Sequence, residues 1–386
     1  MARGKVKKSH SLLVLLALLL VACSNATVTP TLISSTQPPT LDVIPPMENH
    51  TSITPSPTLP PSPTPKPTLE PLPTLRVIKC DNANEVVALR TLQIPDFQMS
   101  SVSQCSLSFS PDGSLLAGVC NYSTAPVWEV DSGLLRYTLL NEAAHEVAIA
   151  FNPQGDMLTI GGFSGEIRFF DLSSGKELKS FTKLPSQIWD LSFNPLGDQL
   201  AAATFNTGAF ITTRASGELL WSMGEQEHIG VLSVDYSSDG SSIAFGKISS
   251  GIIVNEAITG QTIANMQIPV PVGDVSYSPD GQWLASGSDD NKIRLWNTAD
   301  YSLTQTLAGH TNFVNGVVFS PDGSLLFSGG HDRKVGIWDI RSGRQLKFLD
   351  GHQDVVLRVA VNPEGTLIAS ISWDGTVRLW GVVENK

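Results

Sequence analysis

Between residues 110 and 365 the chain returns seven times to one four-residue turn. It reads SPDG ending at Gly113, NPQG at Gly155, NPLG at Gly197, SSDG at Gly240, SPDG at Gly281 and again at Gly323, and NPEG at Gly365. The intervals are 42, 42, 43, 41, 42 and 42 residues. So constant a period means one supersecondary unit repeated, with neighbouring copies burying each other's apolar faces. The sixth unit shows the internal grammar: VNGVVF before the turn, LLFSGG after it, KVGIW ending in an aromatic, and RQLKFL after a further turn. Four short runs separated by Gly, Pro, Asp and Asn read as four antiparallel strands. In IRLW (293–296) and VRLW (377–380) apolar residues alternate with arginine, the period-two signature of a strand. No amphipathic helix of useful length follows residue 76.

Four-stranded sheets repeating at about 40–45 residues cannot bury both faces alone and stack radially into a propeller. The expected fold is therefore all-β: a seven-bladed β-propeller of four-stranded antiparallel blades over residues 76–386. The last unit ends on its third strand, TVRLWGV, and its missing outer strand is expected from EVVALRTLQI (Glu85–Ile94), closing the ring.

The chain before the propeller has a different composition. Arg3, Lys5, Lys7 and Lys8 precede an unbroken apolar run from Leu12 to Ala22, eleven residues long. That length suits a signal-peptide core and is short of the about 20 residues that span a bilayer. The run stops at Leu20-Val21-Ala22-Cys23, which resembles the lipobox of bacterial lipoproteins, in which the cysteine is lipidated and becomes the mature N-terminus. The resemblance implies a signal peptide at 1–22, lipidation at Cys23, and a chain anchored extracytoplasmically to a bacterial cell membrane. Residues 23–75 then form a Pro/Thr/Ser-rich linker, readable as an extended stalk or as a featureless spacer; proline fixes φ and removes donors, so neither helix nor sheet is expected. Removing residues 1–22 leaves 21 Lys and Arg against 36 Asp and Glu, a balance of −15. No basic stripe exists to neutralise phosphates, which argues against nucleic acid as a partner.

Cys80, Cys105 and Cys120 are an odd set, so at most one intramolecular disulfide forms. A hairpin centred on SPDG places opposite one another positions that sum to 225, as 105 and 120 do. Cys105 and Cys120 are thus cross-strand neighbours, either bonded or two small buried thiols.

The stretches YSPDGQWLASGSDDNKIRLWN, FSPDGSLLFSGGHDRKVGIWD and VNPEGTLIASISWDGTVRLWG resemble blades of the WD-repeat β-propeller family, and the resemblance extends over roughly residues 85–382. Units five to seven keep Asp and Trp nine and fifteen residues after the turn glycine; the first four depart from the pattern, and only Trp338-Asp339 is a literal WD pair. The resemblance implies a His–Ser–Asp–Trp hydrogen-bonded strut in blade six (His310, Ser328, Asp332, Trp338) and in blade seven (His352, Ser370, Asp374, Trp380). Blade five carries a partial set, Ser286, Asp290 and Trp296, with Ile268 where histidine belongs. Ser328, His310 and Asp332 also form the parts list of a hydrolase triad. A triad, however, needs an exposed serine and oxyanion donors, whereas Ser328 sits mid-strand and the same set recurs one period later.

No HExxH, CxxC, strand-linked GxGxxG or phosphate loop is present, so no metal and no cofactor is expected; SDDN (288–291) lacks the ligand spacing of a calcium loop. A channel-centred enzyme or small-ligand sensor would need His, Asp or Glu converging on the central channel, and the sequence suggests no such cluster. The expected function is a non-catalytic, membrane-anchored, monomeric scaffold for protein–protein interaction. In this family partners dock on the face bearing the loops between second and third strands. That implies Phe163, Trp189, Phe205, Phe313, His331 and Trp373 as candidate partner-binding residues, with inter-blade packing as the alternative for each.

Overall fold

The computed structural model describes residues 70–384 except 98–103, 121–123, 141–145, 182, 225–228 and 250. The signal-like segment, Cys23 and the proline-rich stretch up to residue 69 lie outside the described residues. Seven antiparallel sheets follow one another along the chain, and we letter their strands a to d from the inside outward. Blade one opens with strand a at Cys105–Phe109, and the other a strands are Glu146–Phe151, Ile188–Phe193, Val231–Tyr236, Val272–Tyr277, Val314–Phe319 and Val356–Val361. Blades one to six are four-stranded in sequence order. Each a strand packs against those of the two neighbouring blades, and that of blade seven returns to blade one, so the ring is closed. Seven apolar cores fill the seams, each drawing side chains from two adjacent blades.

The recurrent turn explains its own sequence. Its glycine has φ between 67° and 74° in all seven copies, a left-handed conformation that costs any residue with a Cβ. Its first residue caps the hairpin in two chemically equivalent ways. In SPDG the serine hydroxyl donates to the aspartate, as from Ser110 to Asp112 at 2.5 Å, and accepts the Leu115 amide at 2.9 Å. In NPQG, Asn152 does both jobs alone: its carbonyl accepts the Met157 amide and its amide donates to Gln154 and Asp156. Hence serine is coupled to aspartate two positions on, whereas asparagine tolerates Gln154, Leu196 or Glu364 there.

Blade seven is completed from the N-terminal side. Its strands a, b and c are Val356–Val361, Leu367–Ser372 and Thr376–Val383, and its outer strand is Val87–Gln93, with Val87 opposite Gly381 and Gln93 opposite Thr376. The closure extends further than the sequence suggests. Leu75–Arg76 adds a two-residue strand beyond it, pairing with Val382 and Val383, and the described chain is already engaged at Leu72, whose amide donates to the Asp131 carbonyl. Between the two segments a short 3-10 turn, Ala83–Glu85, buries Ala83 together with Ile78 and Val86 in the seam of blades six and seven. Lys347 of blade six ties that turn down, donating to the carbonyls of Asn84 and Val86 at 2.8 and 2.7 Å.

Antiparallel order puts the a–b and c–d turns on one face and the b–c loops and blade connections on the other. The N-terminal segment runs along the former, where Ile78 donates to the Gly365 carbonyl. A cleft of about 560 Å³ opens there, lined by Leu72, Pro73, Leu75, Arg136 and Leu367 among others.

Candidate functional site

Three groups of residues carry chemistry: the struts inside the blades, the channel, and the loop face. In blade six His310 Nδ1 lies 2.9 Å from both Asp332 oxygens, its Nε2 lies 2.7 Å from the Ser328 hydroxyl, and Trp338 Nε1 donates to that hydroxyl at 2.8 Å. With the Nδ1 proton facing the carboxylate, Nε2 is left to accept the serine proton, so each group in the chain polarises the next. Blade seven repeats the arrangement with His352, Asp374, Ser370 and Trp380 at 2.9, 2.7 and 2.8 Å. Burial alone would raise the Asp374 carboxyl, but hydrogen bonds from His352, Thr376 and the Gln353 amide outweigh it and hold it well below the usual carboxylate range. Asp332 is lowered in the same way, burial being overcome mainly by His310. Ser328 and Ser370 have no exposed surface; their hydroxyls are committed on both sides and offer no nucleophile to a substrate. Blade five keeps only the Trp296–Ser286 bond, at 3.1 Å. Ile268 is buried, and Asp290, lacking an imidazole, instead takes a two-pronged ion pair from Arg294.

The channel overturns one expectation, because charged groups do converge there. Asp190, Asp274 and Arg358 all stand seven residues before a turn glycine, on the a strands of blades three, five and seven. The a strand is bulged at that point in blades two to seven, as between Ile188 and Asp190. A bulge re-aims a side chain. Arg358 reaches Asp274 at 2.7 Å and Asp190 at 3.6 Å. Blades three and seven are not neighbours, so this guanidinium crosses the channel. Asp274 further accepts the Ser233 hydroxyl at 2.7 Å and the Val317 amide at 2.8 Å, and Asp190 accepts the Val234 amide at 3.1 Å. One pleat along, Asp235 accepts the Tyr277 amide at 2.8 Å. Burial, with Asp274 and Asp190 nearby, pushes Asp235 up to about 7. Asp190 is also raised, burial outweighing the pull of Arg358. Two carboxylates thus share one cation with a third close by, and nearly every bond the three make joins two blades. The signal was available as a column: aligning the seven a strands on their turn glycines gives Ser106, Ala148, Asp190, Ser233, Asp274, Gly316 and Arg358.

On the loop face, the residue eight after the turn glycine is set at a common height in blades three to seven. Its amide donates to the chain just before strand a of the same blade: Phe205 to Gln187, Ile248 to Gly230, Asp289 to Pro271, His331 to Phe313 and Trp373 to Val355. The candidate anchors gather into two clusters. Phe163, Trp189 and Phe205 stack, with centroids 6.5 and 5.0 Å apart and planes within 25° and 21°. Phe313, His331 and Trp373 meet at 5.2 and 5.8 Å with planes tilted by 54° and 59°. For Trp189 the inter-blade packing alternative holds. This residue is 6% exposed, fills the stack between its two phenylalanines, and keeps its Nε1 buried without an acceptor among the described residues. The other five are half-buried, and Trp373 also packs on the core between blades seven and one.

Cys105 and Cys120 stand directly opposite in blade one and are joined as a disulfide; Cys80 is a free, exposed thiol. Among the described residues no group of three or more His, Cys, Asp or Glu side chains is arranged to hold a metal ion.

Residues 103–380 match the family model described as the IFT122 first beta-propeller. The chain is similar to the WD repeat-containing protein SL1-17 of Schistosoma mansoni, 27% identical over 175 residues covering 45% of this chain and 58% of that protein. It is similar also to the small ribosomal subunit protein RACK1 of Medicago sativa, 27% identical over 43% of each chain, and to Protein groucho of Drosophila melanogaster, 38% identical over 50% of this chain and 26% of that one. The matched stretches therefore span from a quarter to somewhat over half of these relatives.

Proposed function

The chain belongs to the WD-repeat β-propeller family, in the group of the IFT122 first beta-propeller, and from that premise we propose that it is a non-catalytic interaction scaffold, lipid-anchored through Cys23 at a bacterial cell surface. Protein partners dock on the loop face. The observation that carries this reading is that both aromatic clusters lie on that one face, opposite the turns along which the N-terminal segment runs. Half-buried aromatics around a rigid opening are the side chains that dominate binding energy at interfaces. The serine–histidine–aspartate sets are sealed struts, and the channel carboxylates are engaged by Arg358 and strand amides, which favours scaffold over enzyme.

One experiment in intact cells tests both halves. A photo-crosslinking residue is placed at Asn206 on the loop face or at Leu196 on the turn face, in the native chain and in Cys23→Ser. Adducts are expected at position 206 only, lost in Phe163→Ala/Trp373→Ala, with Cys23→Ser moving from the membrane to the soluble fraction. Equal adducts from both faces would remove the docking reading; an unchanged membrane fraction would remove the anchor.

A further inference from the structure

The outer edge of the ring is uneven. Each blade ends in a d strand whose far side is unpaired, and such an edge invites further packing unless it carries charge. Four of the seven edges are charged. Leu135–Leu140 holds Arg136, Glu177–Phe181 holds Glu177 and Lys179, Arg344–Leu349 holds Arg344 and Lys347, and the closing strand Val87–Gln93 holds Arg90. The d strands of blades three, four and five, Leu219–Met223, Thr262–Met266 and Leu303–Ala308, hold none. On blades three and four the neutral edge is also apolar. Leu220 and Ile263 are each the extra residue of a bulge between strands c and d, and a bulge re-aims its side chain. They are 43% and 50% exposed, Leu219 is 50% exposed, and Ile258 on the c–d turn of blade four is 79% exposed. The four belong to one stretch of surface. Trp221 Nε1 donates to the Ala257 carbonyl at 2.8 Å and its ring lies against Gly260, so the turn that carries Ile258 packs on the strand that carries Leu219 and Leu220. Ile263 follows that turn on the next strand. At the turn-face end stand Arg214 and Glu218, opposite charges on the c–d turn of blade three, neither in an ion pair among the described residues.

We propose that a second copy of the chain covers this edge, the two propellers standing side by side about a two-fold axis parallel to their ring axes. The choice of occupant follows from charge. After residue 22 the chain carries 21 Lys and Arg against 36 Asp and Glu, so two copies repel wherever both present acidic surface. The neutral edge of blades three and four avoids that repulsion. The two-fold operator also sets Arg214 of each copy against Glu218 of the other, because in an isologous contact every pairing occurs twice. This orientation keeps both turn faces, along which the N-terminal segments run, on one side and both loop faces on the other. Two chains tethered to one membrane can therefore associate without covering either loop face. The dimer departs from the monomer expected from the sequence, and it does not require the loop face to dock a partner.

The test uses the full chain in intact cells, co-expressed as two copies with different C-terminal tags. One copy carries a photo-crosslinking residue in place of Leu220, Ile263 or Leu178. Leu178 is 57% exposed on the charged edge of blade two and reports chance encounters. Adducts of twice the chain mass bearing both tags are expected from positions 220 and 263 and not from 178. Arg214→Glu and Glu218→Arg, each introduced in both copies, should lower the yield about tenfold, since a like-charge contact is then made twice. The double swap Arg214→Glu/Glu218→Arg should restore it, which a folding defect would not do. The proposal is overturned by the absence of a two-tag adduct at 220 and 263, by an equal yield at 178, by adducts with a different protein in its place, or by a double swap that restores nothing. Loss of crosslinks at position 206 with the two-tag adduct intact would strike the docking face alone.

Discussion

A single hydroxyl distinguishes a strut from a catalytic apparatus here. Ser328 accepts the Trp338 indole N–H and stands 2.7 Å from His310 Nε2 with no exposed surface, so its removal strands two buried polar groups at once. An unsatisfied buried donor or acceptor costs about 1–3 kcal/mol. Ser328→Ala is therefore expected to lower stability by about 2–4 kcal/mol in urea denaturation. Ser286→Ala, which strands only Trp296, should cost about half as much. Equal losses would mean that the histidine arm of the strut contributes nothing. The same logic at residue scale explains the turns. Ser110 needs Asp112 because one hydroxyl cannot both cap the Leu115 amide and hold the turn, whereas Asn152 has two functional atoms and frees the third position.

At the scale of strands, the blade count and the closing strand were legible because turn chemistry and period are local properties. The Cys105–Cys120 pairing was legible as register, blade one having no bulge to break the count. The channel cluster was not legible blade by blade, since Asp190, Asp274 and Arg358 meet only across the ring; they become visible when the a strands are aligned as a column. Leu75–Arg76 was missed because two residues carry no periodicity. For Trp189 the sequence left docking and inter-blade packing both open, because the neighbours that bury it come from two blades. The channel also sets a pH dependence for the sheet ring. Asp235 ionises near 4 in an unfolded chain and about 7 in the fold. Between those values the folded state holds the extra proton, so stability falls as pH rises from about 4 to 7. Asp332 and Asp374 are lowered and act oppositely, withdrawing stability only below about pH 4. The expected optimum is therefore mildly acidic, near pH 4–5, with the melting temperature declining toward pH 8. Asp235→Asn keeps an acceptor for the Tyr277 amide and should flatten that decline; parallel curves for the two proteins would refute the assignment.

For the whole molecule the decisive feature is closure. An open array of blades, each contacting only its neighbours, would unfold unit by unit from its ends. Here the a strand of blade seven packs on blade one, and the c strand of blade seven is covered by Val87–Gln93 and extended by Leu75–Arg76. The segment between them wedges Ile78 and Val86 into the seam of blades six and seven, while Leu92 and Ile94 enter the seam of blades seven and one. Removing residues 70–97 therefore exposes the edge of blade seven and two cores together, and no end of the ring stays protected. The truncated chain is expected to lose its single cooperative transition and melt broadly at lower temperature by calorimetry. A synthetic peptide of residues 70–97, added in excess, should restore the single transition by pairing with Thr376–Val383, because the ladder needs the strand and not its covalent link. A truncated protein that melts with the native midpoint and width would show that the a-strand ring closes the propeller unaided.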